Sequence, residues 1–327
     1  MSHNEDGEDE MVELTRRAFT RGAAMVLAGM TGAAGTLRRA VGQPLDLPVG
    51  LQLYTVGDDL QKDFEGTMKT IAQIGYRQIE SNLSVAGKKP KEIADFAKSL
   101  GLGWRSIHTS IPELQGGIDK IIEQAHSVGI EYIICAAPWV KDPSRIKKLD
   151  PSDPLVKAYG KYAPFVAVLN NLTLDDWRWC GDQFNIMGEK VTKAGMTFGY
   201  HNHNFEFKKF GEVLPYDELI SRTDPQYVSF ELDCGWMVSG GYDPVAYLTK
   251  YPKRYRLLHI KDLAPNQPKG GAETTEIGSG TIDWKAIFKA AHGAAVTGYY
   301  VEQEPPYKRP PLESARISYD YLHGLKI

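Results

Sequence analysis

Histidine and acidic side chains are concentrated in four short stretches of the chain, and these residue types can bind a metal ion and move protons. The members are His201 and His203, followed by Glu206; Glu231 and Asp233; His259, Lys261 and Asp262; and Glu302 and Glu304. Members spaced by two residues would share one face of a β-strand, because side chains alternate along a strand. Four neighbouring strands would therefore present these groups at one place.

Each stretch by itself has a structural explanation. A histidine at a strand end is often only hydrogen-bonded, and an Asp or Glu there often caps the next helix. Four stretches together would bury many ionisable groups, at a high free-energy cost unless a cation is present. The pattern therefore predicts a bound divalent metal ion.

The elements that must position these groups are visible in the pattern of apolar residues. Eight apolar or alternating runs follow Gly50, each followed by a longer amphipathic stretch, which is typical of repeated β–α units. The predicted strands cover residues 50–56, 76–81, 103–110, 131–137, 196–203, 228–234, 255–262 and 298–304. The predicted helices include residues 63–74, 90–100, 117–128, 174–194 and 283–292, and the glycines predicted to end helices are Gly75, Gly101, Gly129 and Gly195.

Eight alternations favour a closed barrel over an open sheet, which usually has fewer strands and a glycine-rich phosphate loop after its first strand. We therefore predict an α/β protein, a single-domain (β/α)8 TIM barrel over residues 46–327, preceded by a tail in residues 1–45. Residues 138–171 form a long insertion after strand 4, rich in Pro, Lys and Tyr. An insertion on this face is often a lid or an interface element, because barrel enzymes keep their active sites there.

The order of several motifs resembles that of the xylose-isomerase-like superfamily of sugar phosphate isomerases and epimerases. The motifs are GLQLYTV, IGYRQIE, GYHNHNFEF, FELDCGW, LLHIKD, IGSGTIDW and YYVEQE, and the resemblance runs from about Gly50 to the C-terminus. In that family a Glu, an Asp, a His and a Glu at the ends of strands five to eight hold one divalent ion. The resemblance assigns this role to Asp233, His259 and Glu302, and it places His201 where the family has its first Glu.

The exchange of a family Glu for His201 matters for the chemistry. A neutral imidazole can bind the ion, so the resemblance implies a metal site with one negative charge fewer, and its mixed nitrogen and oxygen donors suit Mn, Zn, Co or Mg. In the family's epimerases two metal-bound glutamates remove and return the proton from opposite faces of the sugar. An epimerase built on this chain would need another base from among His203, Glu206, Glu80 and His108. A one-base β-elimination would need only Glu302 or one of those neighbours.

Further residues are candidates for the reaction. Candidate catalytic residues are Glu302, Glu206, His203 and Lys261, and candidate substrate-binding residues are Glu80, His108 and Trp236. Lys261 would stabilise a developing oxyanion or, as an equally good alternative, form a structural ion pair. Trp236 is the aromatic residue whose position best suits stacking on a sugar ring.

Three functions compete. The first is a metal-dependent isomerase or epimerase that abstracts a proton beside a carbonyl of a sugar or keto-glycoside, with a 3-keto-glycoside lyase or hydratase as the alternative on the same site. The second, a phosphodiesterase with several metal ions, would need more ligands and a basic groove. The third is a non-catalytic periplasmic sugar-binding barrel, and His201 keeps that hypothesis open.

The N-terminal segment resembles a twin-arginine export signal. Arg16 and Arg17 are followed by Phe19 and then by a mildly apolar run that ends near Gly35, too short and too small to span a bilayer firmly. We expect a periplasmic or secreted enzyme that leaves the cytoplasm already folded, with its metal loaded there. No other apolar stretch approaches the ~20 residues of a membrane span.

The composition excludes several classes of protein. Of 327 residues, 42% are hydrophobic and 24% are charged, the balance of a globular enzyme, and the net charge of -3 gives no attraction to nucleic acid. Cys135, Cys180 and Cys234 show no metal-site or disulfide spacing. The expected partner is a small sugar or glycoside, and the sequence leaves the oligomeric state open, a homo-oligomer included.

Overall fold

The computed structural model describes residues 43–160, 163–268 and 271–327. Their core is a closed barrel of eight parallel strands, in the order β1-β10-β7-β6-β5-β4-β3-β2. The strands of the chain are β1 Gly50–Gln52, β2 Gln78–Ser81, β3 Gly103–Thr109, β4 Tyr132–Cys135, β5 Thr197–His201, β6 Val228–Asp233, β7 Tyr255–Ile260, β8 Asp262–Leu263, β9 Thr274–Thr275 and β10 Gly298–Val301. Strands β8 and β9 form a separate antiparallel pair after β7. The predicted (β/α)8 barrel is therefore confirmed.

Helices surround the barrel. They are Gly57–Lys62, Phe64–Ile74, Pro90–Ser99, Ile111–Ser127, Pro154–Tyr159, Ala163–Asn171, Leu174–Lys193, Pro215–Arg222, Cys234–Ser239, Pro244–Lys250, Trp284–His292 and Pro311–Gly324, with short 3-10 turns at Pro44–Asp46, Leu53–Val56, Pro143–Arg145 and Phe205–Phe207. Their inner faces bury aliphatic and aromatic side chains against the strands, for example Ile71, Phe184 and Phe288. This burial is the main stabilising contribution to the fold.

Several element boundaries differ from the sequence prediction. The helix predicted over residues 117–128 begins at Ile111, because Ser110 and Glu113 form a capping box ahead of it. Strand β1 ends at Gln52, after which Leu53–Val56 is a 3-10 turn. Gly195 does follow the helix Leu174–Lys193 with φ of +81°, a left-handed conformation that glycine adopts without strain.

The connection after β4 is long and carries its own helices. It runs from Cys135 to the helix Leu174–Lys193 and includes the helices Pro154–Tyr159 and Ala163–Asn171. Its first part is fastened by Asp176, which accepts hydrogen bonds from the Lys141 backbone N–H at 2.9 Å and from the Arg145 guanidinium at 2.5 and 2.6 Å. The helix Ala163–Asn171 of this connection lies close to the C-terminal end of β5, because Phe165 contacts Phe205, which follows that strand.

Register decides which side chains share a level inside the barrel. His201 is paired with Glu231 across β5 and β6, and Asp233 is paired with His259 across β6 and β7. Glu231 is therefore one layer deeper in β6 than Asp233, on the same face. The polar groups of the four C-terminal strands meet at the C-terminal end of the barrel, as the sequence predicts.

The predicted N-terminal signal, in residues 14–35, lies outside the described residues. Within the described ranges, no helix is long and apolar enough to cross a bilayer.

Candidate metal and catalytic site

Four side chains from neighbouring strands converge at the C-terminal end of the barrel. His201 ends β5, Asp233 ends β6, His259 lies on β7 and Glu302 follows β10. One ligand atom from each lies within 4.8 Å of the others, and all four residues are buried. The closest pair is His259 Nδ1 and Glu302 Oε2 at 2.9 Å, whereas Asp233 Oδ2 is 3.9 Å from His201 Nε2 and from His259 Nδ1.

The donor chemistry of this set fits a divalent metal. Two imidazole nitrogens and two carboxylate oxygens are a mixed donor set of the kind that zinc, manganese and cobalt accept. Asp233 Oδ2 is buried and accepts no hydrogen bond from any described residue. Its other oxygen, Oδ1, caps the helix Cys234–Ser239 by accepting the Trp236 N–H at 2.7 Å, so Oδ2, which lies 3.1 Å from Lys261 Nζ, is the oxygen that remains to bind an ion.

The pKa of His201 favours the form that binds metal. Burial lowers this pKa well below its usual range, and the neighbouring imidazoles His259, His108 and His203 lower it further. His201 therefore stays neutral at physiological pH, with a nitrogen lone pair available.

Lys261 is a fully buried cation beside the ligand set. Its Nζ is 3.1 Å from Asp233 Oδ2, 3.0 Å from Glu302 Oε2 and 2.5 Å from Glu304 Oε1. Burial lowers the pKa of Lys261, but the three carboxylates outweigh burial and raise it above its usual value. Nζ also lies 4.4 Å from the centre of the Trp236 ring, a cation–π contact. Lys261 thus remains charged next to any oxyanion that forms here.

His203 and Glu206 lie just beyond β5. The His203 ring stacks on Phe205 with centroids 4.9 Å apart and lies 5.9 Å from the Trp236 ring. Burial, together with the charge of Lys261, lowers the pKa of His203 to about 3. Glu206 accepts hydrogen bonds from the Tyr200 hydroxyl at 2.5 Å and from the His203 N–H at 3.0 Å, and burial raises its pKa to about 7. Through these two hydrogen bonds Glu206 stabilises the chain segment that follows β5.

A second group of polar side chains lies deeper in the barrel. Glu80 Oε1 accepts from Gln52 Nε2 at 3.0 Å and lies 2.6 Å from His259 Nε2 and 3.1 Å from His108 Nε2. Glu231 Oε2 lies 2.7 Å from His108 Nε2, 3.0 Å from His201 Nδ1 and 3.3 Å from His259 Nε2. We call Glu80, His108 and Glu231 the inner cluster.

The four residues predicted as ligands do lie together, and the predicted catalytic residue Lys261 lies against them. Glu80 and His108, predicted to bind substrate, lie on the deep side of the site, where Glu80 contacts the His259 imidazole and the His108 ring stacks on it. The prediction did not include Glu231, Gln52 or Glu304 among the site residues. For Glu231 a signal existed, because it shares a strand face with Asp233, two residues away. For Gln52 the predicted barrel places β1 beside β2, but no residue pattern indicates that the Gln52 amide donates a hydrogen bond to Glu80.

Comparisons with known proteins give the family context. Residues 68–324 match the family model described as Xylose isomerase-like TIM barrel. The chain is 28% identical over 169 residues to an inosose dehydratase of Lacticaseibacillus casei, covering 46% of this chain and 55% of that protein, so it spans about half the length of this relative. An inosose dehydratase of Clostridium beijerinckii is 24% identical over 281 residues, which cover 77% of this chain and 87% of that protein. The crystal structure of a sugar phosphate isomerase/epimerase from Parabacteroides distasonis superimposes with a TM-score of 0.64, 26% identity and coverage of 89% and 96% of the two chains.

Proposed function

The chain belongs to the xylose isomerase-like TIM barrel family, and from this membership and the strand-end geometry we propose that it is a divalent-metal-dependent lyase of carbohydrates. In this proposal it removes water or an alcohol from a keto sugar, keto-glycoside or related keto-polyol by β-elimination. The observation that carries the proposal is the convergence of His201, Asp233, His259 and Glu302 with the buried cation Lys261 beside them.

The metal ligands and Lys261 would have different roles in this reaction. The metal, when bound by His201, Asp233, His259 and Glu302, supplies Lewis acidity toward the oxygens of the substrate. The ammonium of Lys261 faces the oxygen on which negative charge develops. Because its pKa is raised by three carboxylates, Lys261 acts through its charge and does not give up its proton.

The proton transfer needs one base. Glu302 accepts the proton from the carbon beside the ketone, and the electrons of that C–H bond form the new C=C bond as the β-substituent departs with its own bonding pair. The same carboxyl returns the proton to the departing oxygen, so that water or the free alcohol leaves and Glu302 is a carboxylate again. A single base suffices because no second face of the sugar is attacked.

His201 is the reason for preferring elimination. It stands where an epimerase of this family has a second glutamate, and its two ring nitrogens face Glu231 and Asp233. Similarity to proteins named inosose dehydratase supports the same choice, because dehydration of a keto-polyol is a β-elimination.

A second candidate function is epimerisation or isomerisation of a sugar. The placement of His203 favours it, since this residue follows β5 whereas Glu302 follows β10, with β6 and β7 between them. Two bases so separated could approach a sugar from different sides. Similarity to the sugar phosphate isomerase/epimerase structure supports this candidate.

The test is incubation of the protein with Mn²⁺ in deuterated water, first with a 3-keto-glucoside and then with a keto-inositol, followed by NMR of the sugar. Release of water or of the aglycone, with an unsaturated keto product, supports the lyase. Deuterium beside the carbonyl with every C–O bond intact and inverted product would establish the epimerase instead. If the protein binds metal but neither substrate shows deuterium exchange or forms a product, both proposed enzyme activities are refuted and a sugar-binding protein is supported.

We also propose that the protein is exported by the twin-arginine route, on the basis of Arg16, Arg17 and Phe19. A full-length chain with Arg16→Lys and Arg17→Lys should stay in the cytoplasm of a bacterium whose periplasm receives the native chain. Equal periplasmic amounts of both chains, measured by fractionation, would refute the proposal.

A further inference from the structure

The inner cluster and the ligand set use opposite nitrogens of the same two imidazoles. His201 turns Nδ1 toward Glu231 at 3.0 Å and Nε2 toward Asp233 at 3.9 Å. His259 turns Nε2 toward Glu80 at 2.6 Å and Nδ1 toward Glu302 at 2.9 Å and Asp233 at 3.9 Å. Each ring therefore lies between a deep carboxylate and the ligand carboxylates at the mouth.

The contacts of the two rings with Asp233 are longer than their contacts with the deep carboxylates. Ligand atoms about 2.0–2.2 Å from one tetrahedral ion lie roughly 3.3–3.6 Å apart. The contacts of Asp233 with both rings are 3.9 Å, wide enough to accommodate an ion. The contacts of the rings with Glu80 and Glu231, at 2.6 and 3.0 Å, are hydrogen-bond lengths. The contact of His259 Nδ1 with Glu302, at 2.9 Å, is also of this length, so these two atoms must separate by about 0.5 Å when both bind one ion.

An imidazole that binds a metal ion is neutral and keeps one N–H, so only one of its two contacts can retain a proton once the ion is bound. For His259 the contact with Glu80 is shorter, at 2.6 Å, than the contact with Glu302, at 2.9 Å. For His201 the contact with Glu231, at 3.0 Å, is within hydrogen-bond distance, whereas the contact with Asp233, at 3.9 Å, is not. The proton therefore belongs on the deep side of both rings.

We propose that Glu80 and Glu231 are positioning residues that fix the tautomers of the two metal-binding histidines. Glu231 accepts the Nδ1–H of His201 and leaves Nε2 for the ion, and Glu80 accepts the Nε2–H of His259 and leaves Nδ1 for the ion. A carboxylate behind a metal-bound imidazole also increases its basicity and fixes the ring orientation. This inference rests on the proposed metal-dependent function.

His108 joins the two deep carboxylates. Its Nε2 lies 2.7 Å from Glu231 and 3.1 Å from Glu80, and its ring stacks on His259 with centroids 5.2 Å apart and planes 12° apart. Gln52 holds Glu80 from the other side. Because of these contacts neither carboxylate can rotate away from the imidazole it orients, which a positioning role requires.

The tautomers are read directly from ¹⁵N NMR of the full chain with labelled histidine, loaded with Zn²⁺. Among the eight histidines, those of the site are assigned by substituting the others in turn. The expected spectrum has a proton on Nδ1 of His201 and on Nε2 of His259. A proton on the opposite nitrogen of either ring would refute the positioning role of Glu80 and Glu231 and would leave the proposed function unaffected.

Variants test the two carboxylates. Glu231→Gln and Glu80→Gln should each weaken zinc affinity about 10–100-fold, the usual effect of losing an outer partner of a metal-bound histidine. Each should change the N–H pattern of its own histidine alone. Glu304→Gln is the matched control, because it also removes a carboxylate charge near the ligands but contacts Lys261 and neither imidazole.

The outcomes separate the possibilities. Equal loss of affinity in all three variants with unchanged histidine spectra would mean that the carboxylates act only through charge, and the proposal would be wrong. Two zinc ions per chain would mean that the inner cluster holds an ion in place of protons, which also overturns it. A native chain that binds no divalent ion at all would refute the proposed function itself. The two failures are distinguishable, because metal binding is measured by titration and the tautomers are measured only on the zinc-loaded chain.

Discussion

Asp233 uses its two carboxylate oxygens for different purposes. Oδ1 caps a helix by accepting the Trp236 N–H, and Oδ2 faces the two imidazoles and Lys261. An Asp233→Ala substitution would not separate the two roles, because it removes the helix cap and the metal ligand together. Asparagine keeps an oxygen for the cap and loses the negative charge.

We expect Asp233→Asn to lower divalent-metal affinity by more than about 100-fold, because it removes a ligand and not only an outer partner. Turnover should fall to background. Metal content and activity are measured on the same preparation. Asp243→Asn is the control, since Asp243 also caps a helix but is not in the ligand set. Full turnover by a metal-free Asp233→Asn chain would refute the metal mechanism.

The exchange at position 201 is a second prediction at the level of single residues. Glu in place of His201 would face Glu231, so two carboxylates would meet where an imidazole nitrogen now lies 3.0 Å from Glu231 Oε2. The double variant His201→Glu with Glu231→Gln avoids this repulsion and supplies a second base. We expect it to incorporate more deuterium beside the carbonyl, or to form an epimer, measured by NMR. Elimination at the native rate with no added exchange would show that His201 does not decide the reaction.

At the scale of elements, the connection after β4 depends on one buried carboxylate. Asp176 lies in the first turn of the helix Leu174–Lys193, where it completes a capping box with Thr173 and also accepts from Lys141 and Arg145. Burial raises the pKa of Asp176, but the hydrogen bonds from Arg145, Lys141 and Thr173 outweigh burial and lower it below its usual value. The helix start and the connection are therefore stabilised by the same group.

We expect Asp176→Asn to lower the free energy of unfolding by about 2–3 kcal/mol at neutral pH, because an amide offers one acceptor where the carboxylate offers two. The pKa is depressed in the folded state, so this stabilisation is complete above the unfolded pKa of about 3.9 and is lost as pH falls below it. Denaturant unfolding at a series of pH values measures the difference.

Asp175→Asn is the matched control. Asp175 precedes Asp176 on the same helix, but its side chain is 89% exposed and its contact with Arg178 is 3.8 Å. Its effect should stay within about 0.5 kcal/mol. A difference between native chain and Asp176→Asn that persists undiminished at low pH would contradict the assignment of the stabilisation to the charged carboxylate.

At the scale of the whole molecule, the ligand residues come from four strands that lie far apart in the sequence. An ion that binds only the closed barrel stabilises it by about 2.7 kcal/mol when free metal is 100 times its Kd. For a domain of this size that is a rise in Tm of about 4–5 °C. Removal of metal by a chelator should reverse the rise, as measured by calorimetry. The Asp233→Asn chain should show no such shift, and an equal shift in that chain would place the binding elsewhere.

The sequence by itself determined the architecture, because the alternation of eight β–α units and the glycines that end the helices are local properties. The spacing of two residues placed the polar side chains of each strand end on one face whatever the neighbouring strand is, and the family resemblance assigned the ligand role to His201, Asp233, His259 and Glu302. The strand ends were less well predicted: His203 and Glu302 lie beyond β5 and β10, because loop hydrogen bonds, not side-chain patterns, end a strand.

Only the tertiary structure decided what lies beneath the ligands. Glu80 and His108 come from β2 and β3, and they meet His259 from β7 only because the barrel closes and directs all these side chains inward. Glu231 acquires its role in the same way, through the register that pairs it with His201. Contacts across a barrel depend on closure and register, which are long-range properties that no local pattern encodes. The polar layer beneath His201 and His259 is therefore a property of the fold and not of any one motif.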